Sequence, residues 1–440
     1  MSFKSFFRTP ELRPDQVNAE GQVTDPAILN RDRYKFGAAC IMYQSEEVGL
    51  GPIHTLVVRI LGGGDVALGL IAGAASASSF VQWLGAVLLR RAGSNRRAMN
   101  WALAGGVFFG FLLFLALAFH ALNLKWATAA LGIYIVGSYG LAGASGVQNN
   151  IESSWIGDLV PQERRGSFTG VKWIIGSAGM LAFTLIFGQV GELWPNSGAM
   201  AWLYLVVAAS HGLAIALMSS VTDRVPQTAK FVASEVGERI DYRSVPLWCY
   251  IWFYLAWAGG RTALLAFSAA YMMDCFGFGM GKVALLFALS AAVSLVMLFL
   301  VGKASDRLGS RKPLMAISGF IAFAMLLWPA SAWLGPGALV VYQVLNGAAG
   351  STHSMLGINY GLEIFPAKGR AAYIGFSRVF IGGSALLASV AAGYVMKFIG
   401  DWHMDLWGVT LNRYHLFFTG CALFTASCLV PLMIGRAPRR

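Results

Sequence analysis

The chain has 440 residues, of which 57% are hydrophobic and 12% charged, and a formal net charge of +12. Its mean hydropathy is +0.61. An ordinary soluble domain has about 25% charged residues, so this composition excludes a soluble globular protein and predicts that most of the chain lies in lipid. The positive charge predicts no nucleic-acid partner, because the basic residues lie in short joints between apolar segments.

Apolar segments of about 20 residues, each long enough to cross about 30 Å of hydrocarbon, alternate with short polar joints along the chain. The first six predicted spans are 36–58, 66–89, 99–122, 126–149, 168–191 and 199–221. The second six are 247–272, 282–301, 313–334, 338–360, 371–396 and 413–434. The sequence therefore predicts an all-α polytopic membrane protein of about twelve transmembrane helices in two pseudo-symmetric six-helix bundles.

The predicted domains are a cytoplasmic tail (1–34), a first bundle (35–221), a charged cytoplasmic linker (222–245), a second bundle (246–434) and a second tail (435–440). Residues 1–34 contain no apolar signal-peptide core, so we expect no cleaved signal peptide. With the N-terminus inside, few basic residues fall outside, and the positive-inside rule then places both termini in the cytoplasm. We expect a bacterial inner-membrane protein that contacts lipid and is monomeric. The outside basic residues are Arg59, Lys125, Lys282, Lys397 and Arg413.

An internal repeat supports the two-bundle prediction. The segments DLVPQERRGSFTG (158–170) and EIFPAKGRAAYIG (363–375) precede spans five and eleven. When their prolines are superposed, an acidic residue, an arginine and a glycine coincide. Many transporters are built from such repeats.

The loop GKASDRLGSRKP, 302–313, joins spans eight and nine, and RRAGSNRR, 90–97, is its degraded counterpart in the first half. The second-half loop resembles the Major Facilitator loop signature G-x-x-x-D-R-x-G-R-[KR]. This resemblance implies the fold of that superfamily, without placing a subfamily, and transport by alternating access. The matching residues are Gly302, Asp306, Arg307, Gly309, Arg311 and Lys312.

The resemblance also implies a cytoplasmic gate, in which Asp306 contacts the positive N-terminus of span five. The alternative is a basic loop that only enforces topology. The first-half loop has Arg90 or Leu89 in place of the acid, so the latch is predicted on one side only. We assign to the gate Asp306, Arg307, Gly309, Arg311, Lys312, Glu152, Asp158, Arg165, Glu363 and Arg370.

Span one contains YQSEEVGLGP, in which Glu46 and Glu47 lie roughly 15 to 17 Å in from Phe36, near the bilayer centre. A charged side chain in hydrocarbon costs about 3 kcal/mol or more, so one that persists there is a candidate for the substrate or ion path. The glycines and proline that follow predict a broken helix. We predict a proton-coupling or substrate site at Glu46 and Glu47, together with Gln44. The alternative is an ion pair that locks the halves.

Arg261 in span seven occupies nearly the repeat position of Glu46. It is predicted to pair with Glu46 or Glu47, or with an anionic substrate, because a buried unpaired arginine is costly. Lys172 and Arg378, early in spans five and eleven, either draw solute inward or pair with acids at the gate.

Amides beside aromatic rings form a candidate carbohydrate-binding set, since they offer donors, acceptors and flat apolar faces. The same residue types also join helices in any bundle. The residues of this candidate substrate cavity are Asn149, Asn150, Trp155, Lys172, Arg378, Asn346, His353, Asn359 and Tyr360.

We therefore predict secondary active transport of a small polar solute, with a proton as coupling ion and a sugar-like or glycoside-like substrate. The alternatives are an organic-anion carrier, an exporter of metabolites or drugs, or a non-transporting sensor or assembly factor. The sequence shows no HExxH motif or nucleophile–histidine spacing typical of an enzyme. No catalytic residue, metal site or cofactor is predicted.

Overall fold

The computed structural model describes residues 12–18, 21–49, 51–123, 129–223, 240–308, 311–365 and 370–434. A short 3-10 turn at Pro14–Gln16 comes first. The helices that follow up to the linker are α1 Pro26–Tyr43, α2 Ser45–Gly49, α3 Ile53–Ile60, α4 Asp65–Val81, α5 Trp83–Ala92, α6 Asn95–Ala121, α7 Ala130–Leu159, α8 Gln162–Leu193 and α9 Ser197–Ser219.

After the linker come α10 Val245–Phe276, α11 Met280–Leu308, α12 Arg311–Ala324, α13 Leu327–Leu334, α14 Gly337–Ile364 and α15 Arg370–Ile399. An antiparallel hairpin of β1 His403–Leu406 and β2 Val409–Asn412 follows, with Leu406 opposite Val409 at its turn. The described chain ends with α16 Arg413–Ala426 and α17 Leu429–Ile434.

In the part of the chain that the structure describes, eight helices are long and apolar enough to cross a membrane. The pair α4 and α5, bent by 53°, makes a ninth candidate. Predicted spans one, seven and ten correspond to α1–α3, α10 and α14. The prediction of an all-α multi-pass membrane protein is confirmed.

Helix ends follow local sequence signals. The side chains of Asp25, Ser94 and Asn196 accept hydrogen bonds from backbone N–H groups at the starts of α1, α6 and α9. Such caps satisfy donors that have no partner within the helix. Gly93 and Gly277, in left-handed conformation with φ of 64° and 61°, end α5 and α10, as expected for a residue without a Cβ.

The first compact unit comprises Met1–Gly51, Ala77–Ile186 and Trp194–Gly237. Helices α6, α7 and α9 pack together in it, and Gly110 lets α6 approach α9, because a Cβ there would lie 3.2 Å from Ala208. In the same unit the Phe36 ring packs edge-on against Trp155 and Phe168, at centroid distances of 5.3 and 5.6 Å.

The second compact unit comprises Pro52–Ser76, Phe187–Leu193 and Glu238–Arg440. Two segments that were predicted in the first bundle therefore belong to it. Helix α4 contacts α15 closely, since a Cβ on Gly69 would lie 2.8 Å from the Cα atom of Gly393. Rings of Tyr271, Trp328 and Phe418 join α10, α13 and α16 in its core. The predicted domain boundaries stay a prediction.

Candidate functional site

The first span is broken on both sides of its two glutamates. Helix α1 ends at Tyr43, and the five-residue helix α2 holds Glu46 and Glu47 before Pro52 precedes α3. A broken helix leaves backbone carbonyls without helical partners. The Tyr204 hydroxyl donates to the Gly49 carbonyl oxygen at 2.8 Å. The break predicted from the sequence is present, and it begins earlier than the glycines and proline implied.

Glu46 forms a buried contact with His211 of α9. Its Oε2 atom lies 3.0 Å from His211 Nε2, and the two side chains are 2% and 1% exposed. The other ring nitrogen, Nδ1, lies 2.9 Å from the Val207 carbonyl oxygen and so donates to it. Gly106 of α6 makes room for the imidazole, because a Cβ at this position would overlap the ring. The pair is fixed from three sides.

Glu47 has a different environment. Its side chain is exposed, whereas that of Glu46, one residue earlier, is buried. The charged groups that act on Glu47 are Glu46 and Lys172. Gln44 is buried, with only a long contact of 3.9 Å from Nε2 to Cys40 Sγ, and its Oε1 atom has no partner among the described residues. Of the predicted first-span group, Glu47 alone is exposed.

A second buried carboxylate lies on α7. Glu152 accepts hydrogen bonds from Lys172 Nζ at 2.7 Å and from the Tyr43 hydroxyl at 2.9 Å. The side chains of Glu152 and Lys172 are each 3% exposed. Charge-assisted hydrogen bonds of this length are strong. The structure therefore gives Lys172 one of the acidic partners that the sequence suggested.

A cavity of about 460 Å³ opens beside this cluster in the first unit. Its wall combines amide, carboxylate and cationic groups with one indole ring, as in many sites for small polar ligands. Two residues predicted for the substrate cavity and two predicted for the gate share this wall. The lining residues are Gln82, Asn149, Glu152, Ser153, Ile156, Gly157, Arg165, Thr169, Lys172 and Trp173.

Arg261 lies on α10 in the second unit. Its Nη2 atom donates to Asn346 Oδ1 at 2.9 Å, and Asn346 Nδ2 donates to Ser290 Oγ at 3.0 Å. The guanidinium carbon lies 6.0 Å from the centre of the Trp257 ring. Within this unit, no described carboxylate lies within ion-pair distance of Arg261. Its pairing with Glu46 or Glu47 stays a prediction.

Several predicted substrate residues contribute to packing. Trp155 is fully buried, and its Nε1 donates to the Thr222 carbonyl oxygen at 3.1 Å. His353 is stacked on Trp257, with ring centres 3.6 Å apart, and Tyr360 is 3% exposed. These rings have no open face for a sugar in this structure.

The remaining cavity residues have mixed environments. Asn150 packs against α5, where a Cβ on Gly85 would lie 2.7 Å from its Oδ1 atom. Arg378 is exposed. The side chain of Asn359 lies outside the described residues.

The described gate residues bind helix ends. Arg165 donates to the carbonyl oxygens of Val160 and Gly157, at 2.9 and 2.7 Å, at the end of α7. Arg311 donates to that of Leu432, near the end of α17. Guanidinium groups stabilise helix C-termini in this way.

Other gate residues are less informative. Asp158 accepts from Asn95 at 3.1 Å, and Lys312 and Glu363 are exposed. Gly309 and the side chains of Asp306, Arg307 and Arg370 lie outside the described part, so the predicted latch stays a prediction.

Ion pairs at the predicted outer ends of the spans were not found from the sequence. In the second unit, Arg59 Nη2 lies 2.7 Å from Asp274 Oδ2, which also accepts from the Tyr414 hydroxyl at 2.6 Å. Arg413 binds Asp65 through both terminal nitrogens, at 2.7 and 3.4 Å. Two of the five basic residues predicted outside thus have acidic partners. The only signal in the sequence is that both acids border spans.

No three His, Cys, Asp or Glu side chains of the described residues come close enough together to hold a metal ion. His211 was also missed, because a lone histidine on an apolar helix is typical of packing. Its partner Glu46 is 165 positions away along the chain.

The fold is similar to several solved transporters, all at low sequence identity. A mutant form of the nucleoside transporter NupG aligns with a TM-score of 0.69 and 13% identity, covering 92% of this chain and 99% of that one. The D-xylose-proton symporter aligns with a TM-score of 0.67 and 13% identity, covering 89% of this chain and 96% of that one. For a POT family transporter in complex with 5-aminolevulinic acid they are 0.67 and 11%, with 96% and 98% covered. Among curated proteins, none matches the sequence.

The fold and the polar groups within its spans define a multi-pass membrane transporter rather than an enzyme. Residues 247–440 match the family model described as Major Facilitator Superfamily. This match is to the same superfamily that the loop signature predicted.

Proposed function

We propose that this protein is a proton-coupled secondary transporter of a small polar solute, and that Glu47 exchanges the coupling proton. The observation that carries the proposal is the contrast between two adjacent glutamates at the break in the first span. Glu46 is sealed against His211, whereas Glu47 is exposed. Both lie where charged groups are costly and therefore typical of an ion or substrate path.

Proton exchange requires access to water and a charge state that can change. Glu46 is buried against His211, with its side chain 2% exposed, so solvent does not reach it in this structure. Glu47 is exposed, and the charged groups that act on it are the negative Glu46 and the positive Lys172. A small displacement of either neighbour would change the proton affinity of Glu47. We therefore assign the coupling role to Glu47 and a positioning role to Glu46.

A protein of similar fold and the wall of the first-unit cavity both bear on the solute class. One protein of similar fold is a D-xylose-proton symporter, which favours proton coupling and a sugar-like or glycoside-like solute. The amide and indole groups in the wall of the first-unit cavity agree with this choice. The second candidate is an organic anion, favoured by Arg261. We expect a monomer in a bacterial inner membrane, with both termini in the cytoplasm.

The test is transport by the full-length protein in proteoliposomes, with a panel of labelled sugars, glycosides and organic acids. An imposed proton gradient should drive accumulation of one solute class by the wild type. Glu47→Gln should abolish gradient-driven accumulation and keep exchange between equal solute concentrations. Glu163→Gln, at an exposed position, is the matched control. Gradient-driven accumulation by Glu47→Gln would refute the assignment, and an inserted wild type that moves no solute would favour the sensor or assembly alternative.

A further inference from the structure

We infer that Arg261 binds the carboxylate of the transported solute, so that the substrate is a small organic anion. This inference rests on the proposed transport function and, of its two candidate solute classes, selects the organic anion over the sugar-like solute. It is carried by the setting of the guanidinium group, which is held in position and has no acidic partner among the described residues of its unit.

The orientation of Arg261 is built by three helices. Asn346 of α14 accepts from Nη2 at 2.9 Å and is itself held by Ser290 of α11. Gly350, one turn further along α14, leaves space, since a Cβ there would lie 3.2 Å from Nη2. A guanidinium that is already ordered loses little conformational freedom when it binds a planar carboxylate through two hydrogen bonds.

The charge of Arg261 is not neutralised by the described residues of the second unit. Its Nε atom is buried and has no hydrogen-bond partner among them. Asp274 and Asp65, two acids of the same unit, already bind Arg59 and Arg413. Asn346 supplies a neutral acceptor only. A cation inside a membrane protein without a counter-charge is costly, and the hydroxyl groups of a neutral sugar would not remove that cost.

The alternative is that Arg261 neutralises a carboxylate of the protein, Glu46 or Glu47. Glu46 already has His211 as its partner. The two roles predict opposite effects on the ligand-free protein. Removing the positive charge would leave a protein carboxylate unpaired and destabilise the fold, whereas it would relieve an unneutralised cation if the partner is a solute.

Thermal unfolding of the purified full-length protein in detergent tests the inference. The probes are sodium acetate, lactate, gluconate and glucuronate, each against sodium chloride at the same ionic strength, with glucose as the neutral counterpart. At about ten times its Kd, a carboxylate that binds should raise Tm by about 2 °C, saturably. Arg261→Gln should lose this shift without lowering the Tm of the ligand-free protein. Lys397→Gln, at an exposed cation, should keep it.

The inference is overturned if no carboxylate raises Tm more than chloride does, or if Arg261→Gln keeps the Tm shift. It is also overturned if Arg261→Gln lowers the Tm of the ligand-free protein by several degrees. Carboxylate binding without proton-driven movement would refute the proposed coupling and leave the substrate class standing. Proton-driven accumulation of neutral sugars alone would refute the substrate class and leave the coupling standing.

Discussion

Because Gly106 makes room for the His211 ring, the contact between Glu46 and His211 predicts that adding one methyl group at Gly106 lowers stability strongly. Gly106→Ala places a Cβ where the imidazole ring lies, so the ring has to move away from the carboxylate. Breaking a buried ion pair while leaving one charge in place costs about 3–5 kcal/mol. Both side chains are at most 2% exposed, so little solvent screening reduces this figure. We expect Gly106→Ala to lower the unfolding free energy by about 3 kcal/mol.

The adjacent Gly105→Ala is the control. A Cβ at Gly105 would meet Ala144 at 3.4 Å, an ordinary contact, and alanine favours the helical state over glycine by about 1 kcal/mol. Gly105→Ala should therefore be neutral or stabilising. The measurement is reversible unfolding in mixed micelles, followed by tryptophan fluorescence.

A double-mutant cycle separates the ion pair from simple overpacking. In a His211→Ala background the ring and its pair with Glu46 are already absent, so Gly106→Ala should cost less than about 1 kcal/mol. A coupling energy of about 2–3 kcal/mol is expected, which is within the range for residues in direct contact. Equal costs in both backgrounds would refute the reasoning, because the glycine would then not act through His211.

Two further predictions concern the ion pair of Glu152 with Lys172 in the first unit and that of Asp65 with Arg413 in the second. Tyr43→Phe removes one of two hydrogen bonds to the buried Glu152 carboxylate and should lower the unfolding free energy by about 1.5–3 kcal/mol. Lys172→Met leaves that carboxylate without a cation and should lower it by about 3–5 kcal/mol. A larger loss for Tyr43→Phe than for Lys172→Met would contradict this reasoning. Asp65→Asn should cost about 0.5–1 kcal/mol, since the pair with Arg413 is partly exposed. The double variant Asp65→Arg with Arg413→Asp exchanges the two charges and should recover the lost stability. If stability is not recovered, the two side chains do not form a direct pair.

More of the fold than of the candidate site can be predicted from the sequence. Hydropathy and charge identify the membrane spans because the bilayer imposes length and apolarity on every one. The earlier break at Gln44 was not predicted, since no glycine or proline marks it. The packing of 52–76 and 187–193 with the second unit cannot be derived from hydropathy, because hydropathy reports burial in lipid and not which helices pack together.

Within the site, the sequence identified Glu46, Glu47 and Arg261 by a physical rule, since charges are rare in spans. It could not assign their partners, because a contact such as that of Glu46 with His211 depends on packing between distant helices. The prediction of sugar-stacking rings stays a prediction, and sequence alone cannot separate such rings from packing rings. A large ring such as Trp155 serves a helix interface as well as a ligand, and the structure places it in the core.

The first-half loop shows how a missing acid can be supplied from elsewhere. Its sequence lacks the carboxylate that the second-half loop has at Asp306. In the structure, Asp223, just after α9, accepts from the Ser94 hydroxyl and, at 3.3 Å, from the Arg96 backbone N–H. An anion therefore lies at the N-terminus of α6, where the helix dipole favours it. The one-sided latch itself stays a prediction, because the side chain of Asp306 lies outside the described residues.

The charges inside the two units fit proton–anion symport. In the first unit Glu46 is matched by His211 and Glu152 by Lys172, which leaves Glu47 to be neutralised by a proton. In the second unit the inferred carboxylate of the solute neutralises Arg261. One proton and one monocarboxylate then cancel both charges and carry no net charge across the membrane. A carrier with this arrangement pays the cost of a bare charge in hydrocarbon only while empty, so loading both ligands lowers the barrier to its conformational change.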